Sequence, residues 1–126
     1  MMRFLAPLLL LPVATAALAG PPPAPSAARG GDAYRQQCAA CHAVAPVALG
    51  PDLARVVGRT AGSVPGFRYS GPLKRSALVW TPDRLRAFIT DPQSTLPGNR
   101  MPFSGVTAPV AADIVAYLEA EQKSGG

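Results

Sequence analysis

The chain has one histidine and two cysteines, too few donors for a four-ligand zinc site. It has no run of lysine or arginine that would follow a phosphate backbone. The formal charge is only +5 and is carried mostly by scattered arginines, which excludes nucleic acid as a partner class. No alternating apolar–polar stretch of useful strand length is present, so sandwiches, barrels and strand–helix–strand units drop out. There is no internal repeat. The densest apolar run, Phe4 to Leu18, is interrupted by Pro7 and Pro12 and is short for a bilayer span. With 126 residues the chain has room for one small domain.

That apolar run follows a short basic start, Met1-Met2-Arg3, centres on Leu8 to Leu11 and ends in Ala17-Leu18-Ala19. A charged start, an apolar middle and a small-x-small end predict a cleavable export signal over residues 1–19, and an uncleaved anchor is the rival reading. No cysteine follows the cleavage site to carry a lipid. The mature protein is therefore expected to be exported, with no stable membrane insertion after cleavage. Residues 20–29, rich in proline and alanine, read as an extended linker. The folded domain is expected over 30–124.

Three helices are legible. The first is expected from about Asp32, as N-cap, to Ala40. The second starts with Thr81 as cap, Pro82 at the first position and Asp83 in the first turn. Leu85, Phe88 and Ile89 give it an apolar stripe, and Pro92 ends it near Asp91. The third begins around Thr107 to Pro109 and buries Val110, Ile114, Tyr117 and Leu118. A short helical turn is expected over 53–57, closed by Gly58. Glycine- and proline-rich loops fill 43–51, 62–74 and 96–105. So small a chain with so much loop has a thin core of its own, and a large apolar group outside the sequence would complete it.

The strongest chemical signal is Cys38-Ala39-Ala40-Cys41-His42. C-x-x-C-H is the pattern of covalent c-type haem attachment. Cysteines three apart on a helix share a face, so both sulfurs can reach the two vinyl groups on one side of a porphyrin. The histidine that follows turns its imidazole under the iron. A dithiol redox motif has the same cysteine spacing, but it opens a helix in a strand–helix–strand unit, and no such unit is legible. The second axial ligand follows by elimination. Met1 and Met2 leave with the signal, so Met101 alone remains of the three methionines. A lone methionine is ordinarily core filler. This one sits between Pro97-Gly98 and Pro102, in a loop whose prolines and glycine can hold a thioether in one place. His/Met ligation raises the reduction potential and leaves no open iron position.

With these residues in view, the chain over 30–121 resembles class I cytochromes c, the monohaem mitochondrial and bacterial periplasmic family. The resemblance rests on an ordered series of motifs. It implies an all-α fold, with three main helices and long loops wrapped around one haem c. Gly50-Pro51-Asp52-Leu53 is similar to the family's loop after the haem histidine, where the carbonyl of Pro51 would accept the imidazole N–H. Gly58-Arg59 and the segment Pro65 to Tyr69 resemble the wrap around the haem propionates. By the same resemblance Arg59, Tyr69 and Trp80 would donate to those carboxylates or their waters; otherwise they read as a surface arginine and core aromatics. Gly30 and Tyr34, with Ile114 and Tyr117, fit the family's crossed terminal helices.

Departures from the family are as informative. Phe88 stands where a tyrosine is usual, Asn99 where a threonine is usual and Leu73 where an asparagine is usual. A less polar haem surround is expected. The docking rim carries Gln37, Gln93, Ser94, Thr107, Ala108 and Pro109 in place of lysines, with Arg100 remaining. The resemblance implies a monomeric, non-enzymatic carrier of single electrons in a bacterial periplasm. Its partners would be redox proteins: a cytochrome bc1-type complex, a terminal oxidase or a periplasmic dehydrogenase. A haem subunit of a periplasmic dehydrogenase complex is the alternative. A peroxidase or a gas-binding haem module would need an open iron position, which Met101 would close.

Overall fold

The computed structural model describes residues 12–42 and 49–125. The expected signal and the loop after His42 therefore lie largely outside the described residues. Among those described, the architecture is helical: α1 Ala27–Gln37, α2 Ala39–His42, α3 Gly71–Ser76, α4 Pro82–Thr90, α5 Pro92–Thr95 and α6 Ala108–Ser124. Extended pairing is limited to an isolated antiparallel bridge between Thr60 and Val79. No helix among the described residues is long and apolar enough to cross a membrane.

The two terminal helices, α1 and α6, form the main helix–helix contact. Gly30 makes it possible. A Cβ there would lie 1.8 Å from the Asp113 carbonyl oxygen and 2.9 Å from Tyr117 Cβ, so the two backbones touch where the side chain is missing. Tyr34 packs on Tyr117 with ring centroids 5.3 Å apart. Beside the crossing, Asp113 is buried and accepts from the Ser26 backbone N–H at 2.7 Å and from Arg29 Nε and Nη2 at 2.8 and 2.9 Å. That fork holds the Asp113 carboxyl below the usual carboxylate range, first through the Arg29 bond and then through the Ser26 N–H.

Helix α1 begins at Ala27, not Asp32, so its first turn falls within the expected linker. The cap is Ser26, whose Oγ accepts from the Arg29 backbone N–H at 3.3 Å. Two interior glycines disfavour helix by about 1 kcal/mol each, which hides the first turn in the sequence. Packing against α6 overrides them. Helix α4 is capped by Thr81, with Pro82 at its first position, as expected.

The 53–57 stretch forms turns instead of a helix, because Arg55 takes a left-handed φ of 56°. The expected 62–74 loop ends in α3. A further short helix, α5, starts immediately after α4; Asp91 caps it through the Ser94 N–H and Oγ. The core gathers Val56, Ala61, Trp80, Leu85, Phe88 and Val115. Leu53, Leu73, Leu78, Ile89, Leu96 and Met101 pack against it only partly buried. A porphyrin-sized apolar plate would suit this ring of half-covered side chains.

Candidate functional site

The attachment motif sits where α1 breaks. Cys38 ends α1, and its carbonyl then accepts from the backbone N–H of both Cys41 and His42, at 3.1 and 3.0 Å. The two cysteines thus share one helical turn, half-buried and unpaired with each other. Burial, followed by the proximity of Cys41, pushes the Cys38 thiol up to about 11. The partial burial of that sulfur suits a thioether to a porphyrin edge.

His42 is fixed from two sides. Its Nδ1 lies 2.8 Å from the Pro51 carbonyl oxygen. A carbonyl only accepts, so Nδ1 carries the proton and Nε2 keeps its lone pair for a metal. The ring also lies against Gly50, where a Cβ would stand 2.5 Å from Cε1 and 2.9 Å from Nε2. Only glycine leaves room for the imidazole at that approach. The Gly50 N–H in turn donates to the Cys41 carbonyl at 2.8 Å, tying the returning chain back to the motif.

Arg59 spends part of its guanidinium on the same wall. Nη1 donates to the Ala54 carbonyl at 2.9 Å and Nη2 to the Asp52 carbonyl at 2.8 Å. It therefore braces the segment that carries Pro51, a role the sequence did not disclose. Backbone pairing joins it to Trp80, whose N–H donates to the Arg59 carbonyl at 2.8 Å. Trp80 is buried against Phe88, with ring centroids 5.0 Å apart. The Tyr69 hydroxyl accepts from the Val64 N–H at 3.1 Å, which leaves its own proton to donate elsewhere. No hydrogen bond among the described residues joins Tyr69 to Arg59 or Trp80.

Ser70 is the residue that sequence reasoning missed. It caps α3 yet makes no side-chain capping bond, and its Oγ is buried without a protein partner. A buried hydroxyl left unmade costs about 1–3 kcal/mol. A haem carboxylate beside Tyr69 and Ser70 would satisfy it, so the residues present fit the group. Adjacency to Tyr69 was the available signal.

Met101 is half-buried against the core cluster, and both of its peptide groups are tied. Its N–H donates to Asn99 Oδ1 at 3.0 Å, and its carbonyl accepts from the Phe103 N–H at 2.9 Å. Arg100 Nη2 reaches the Arg68 carbonyl at 3.1 Å, joining the methionine loop to the segment that ends in Tyr69. Among the described residues no cluster of three histidine, cysteine or carboxylate side chains forms another metal site.

Comparison with known proteins agrees with this geometry. Residues 25–118 match the family model described as "Cytochrome C oxidase, cbb3-type, subunit III". Cytochrome c2 of Agrobacterium tumefaciens (strain II Chrys) is 41% identical over 95 residues, covering 70% of this chain and 86% of that protein. Cytochrome c 2.1 of Caenorhabditis elegans is 39% identical over 102 residues, covering 79% and 92%. Among solved structures, cytochrome cH from Methylobacterium extorquens superposes with a TM-score of 0.70 at 38% identity, over 75% of this chain and 98% of that one. The chain accordingly belongs to the cytochrome c family, as a class I monohaem member whose covalently attached haem c brings the iron.

Proposed function

We propose that the protein is a periplasmic carrier that takes one electron from one redox protein and gives it to another. When bound, the haem would supply a centre able to take up and release one electron. Cys38 and Cys41 would hold the group covalently, and His42 and Met101 would supply the protein ligands to its iron. Arg59, Tyr69, Ser70 and Trp80 would serve its carboxylates. With both His42 and Met101 as ligands the iron would have no position left for a substrate, so the reading is electron transfer without catalysis.

The observation that carries this reading is the bond from His42 Nδ1 to the Pro51 carbonyl. It fixes the tautomer that presents Nε2. Export through a cleaved 1–19 signal completes the proposal, with a tether shorter than the expected 20–29 because the folded domain already includes Ser26 and α1 from Ala27. The partners are a bc1-type complex, a terminal oxidase or a periplasmic dehydrogenase.

The experiment is expression with export and haem attachment, followed by redox titration. A covalent haem that survives denaturation and titrates as one reversible one-electron couple supports the reading. A protein without bound haem, or one that turns over peroxide, sinks it. Few basic side chains replace the rim lysines of the family, so electron transfer is expected to depend only weakly on salt; a steep fall with ionic strength would contradict that.

The description of the matching family names an oxidase subunit, which favours a second reading as a haem subunit of a larger redox complex. Stable co-purification with such a complex from the native membrane or periplasm would select it. A monomer that exchanges between partners would select the carrier.

A further inference from the structure

The methionine loop is held by two amide side chains. Asn99 is only 5% exposed. Its Nδ2 donates to the carbonyls of Pro92 and Leu96 at 2.9 and 2.8 Å, and its Oδ1 accepts from the Met101 N–H at 3.0 Å. Both amide hydrogens and the carbonyl oxygen are therefore engaged within the loop. Gln93 works from the other side. Its Nε2 donates to the Asn99 carbonyl at 2.9 Å, and its Oε1 accepts from the Gly98 N–H at 3.3 Å.

These bonds connect the loop to the rigid part of the molecule. Asp91 donates its backbone N–H to Ala87 in α4 at 3.2 Å, and its side chain caps α5. Pro92 in α5 is fully buried, and its carbonyl receives both the Leu96 N–H and the Asn99 amide. A continuous path thus runs from α4 through α5 and Asn99 to the main chain of Met101. Unpairing a buried amide from three partners costs more than losing one exposed bond.

We propose that Asn99, supported by Gln93, is the positioning residue of the Met101 ligand: it holds the main chain of Met101 so that the thioether stays on the iron against competing ligands. Asn99 touches neither metal nor haem in this role and acts only through Met101. The proposal rests on the reading of Met101 as axial ligand.

The test uses the ferric holoprotein and imidazole as the competing ligand. The wild-type, Asn99→Ala, Gln93→Ala and Arg29→Ala proteins are titrated with imidazole, while the weak long-wavelength sulfur-to-iron band is followed. Denaturant midpoints are measured in parallel. Arg29 lies at the α1–α6 contact, so Arg29→Ala reports what general destabilisation does.

Asn99→Ala is expected to raise imidazole affinity by about tenfold or more, the scale of a lost buried hydrogen bond. Gln93 is exposed, and its substitution leaves the three Asn99 side-chain bonds in place, so Gln93→Ala should raise affinity by about threefold. Arg29→Ala should lower the midpoint while keeping affinity within about twofold of wild type.

If affinity tracks the midpoint equally in all three variants, Asn99 is merely structural and the proposal is overturned. Unchanged affinity in Asn99→Ala overturns it as well. Should Asn99→Ala fail to load haem, Gln93→Ala decides, and no rise there refutes the proposal. A wild-type protein without the sulfur-to-iron band refutes the Met101 reading itself, and the proposal falls with it.

Discussion

Replacing Gly30 by alanine tests how the terminal helices hold the attachment motif. The new Cβ would sit 1.8 Å from the Asp113 carbonyl oxygen, 2.4 Å from its carbon and 2.9 Å from Tyr117 Cβ. An ordinary contact starts near 3.4 Å, so α1 and α6 must part by about 1.5 Å. The obstructing atoms are mostly main chain and cannot rotate away. Tyr34 and Tyr117, whose ring centroids lie 5.3 Å apart across the crossing, would lose close contact. Overpacking of this kind costs about 3 kcal/mol, at the upper end of the usual range. Alanine recovers about 1 kcal/mol through helix propensity, leaving a net loss of about 2 kcal/mol.

Gly31→Ala is the matched control. Its Cβ would meet the Tyr117 ring at 3.2 and 3.3 Å and Arg35 Nη1 at 3.5 Å, and these side chains can move. That substitution should be neutral or stabilise by up to about 1 kcal/mol. Equilibrium denaturant unfolding of the two holoproteins measures the difference; in a thermal melt, Gly30→Ala should fall by about 10 °C. Equal stability of the two variants would refute the close-approach reasoning.

Three further outcomes are expected. The Asp113 carboxyl titrates below its ordinary value, so its contribution is complete above about pH 4 and is lost as pH falls through the lower folded value; Asp113→Asn should reduce stability at neutral pH and flatten the acid limb of the unfolding profile, and an unchanged limb would contradict the Arg29 fork. Arg59→Lys keeps the charge but loses the two-pronged contact with the Asp52 and Ala54 carbonyls, which should cost about 1 kcal/mol in denaturant unfolding; no loss would show that the fork does not hold the Pro51 segment. Phe88→Tyr places a hydroxyl on a ring buried beside Trp80 and should shift the midpoint potential or the stability of the methionine–iron bond, whereas identical values would argue against a drier methionine side.

Part of the candidate site was legible in the residues. Spacing pointed to Cys38, Cys41 and His42 and elimination to Met101 as candidates, and the ordered motifs pointed to Pro51, whose carbonyl does meet His42. Helices α4 and α6 carried threonine and proline at their starts, but α6 buries Ala111, Asp113, Ile114 and Val115, so of its expected stripe only Ile114 is fully buried while Val110, Tyr117 and Leu118 are half-buried. The missed features depend on tertiary contact. Helix α1 starts at Ala27 because α6 stabilises two interior glycines that local propensity penalises. Arg55 breaks the expected turn through a backbone conformation that no composition announces.

Asn99 was read as a change in the haem surround, whereas its amide is spent inside the loop. Gln93 was read as a docking-rim position, yet its amide closes the same loop. Ser70 offered only its adjacency to Tyr69, since an orphaned hydroxyl appears only when its neighbours are in place. Side chains that bond to distant backbone groups leave no periodic signal, which is why each of these escaped.

Electron transfer without catalysis requires Met101 as the proposed sixth ligand. The direct measurement is the absorption spectrum of the oxidised, haem-loaded protein beside its Met101→Ala variant. Wild-type protein is expected to be low-spin with the weak sulfur-to-iron band, and the variant should lose that band and open the iron to added ligands. A high-spin wild-type spectrum, or a band that survives in Met101→Ala, would contradict the account.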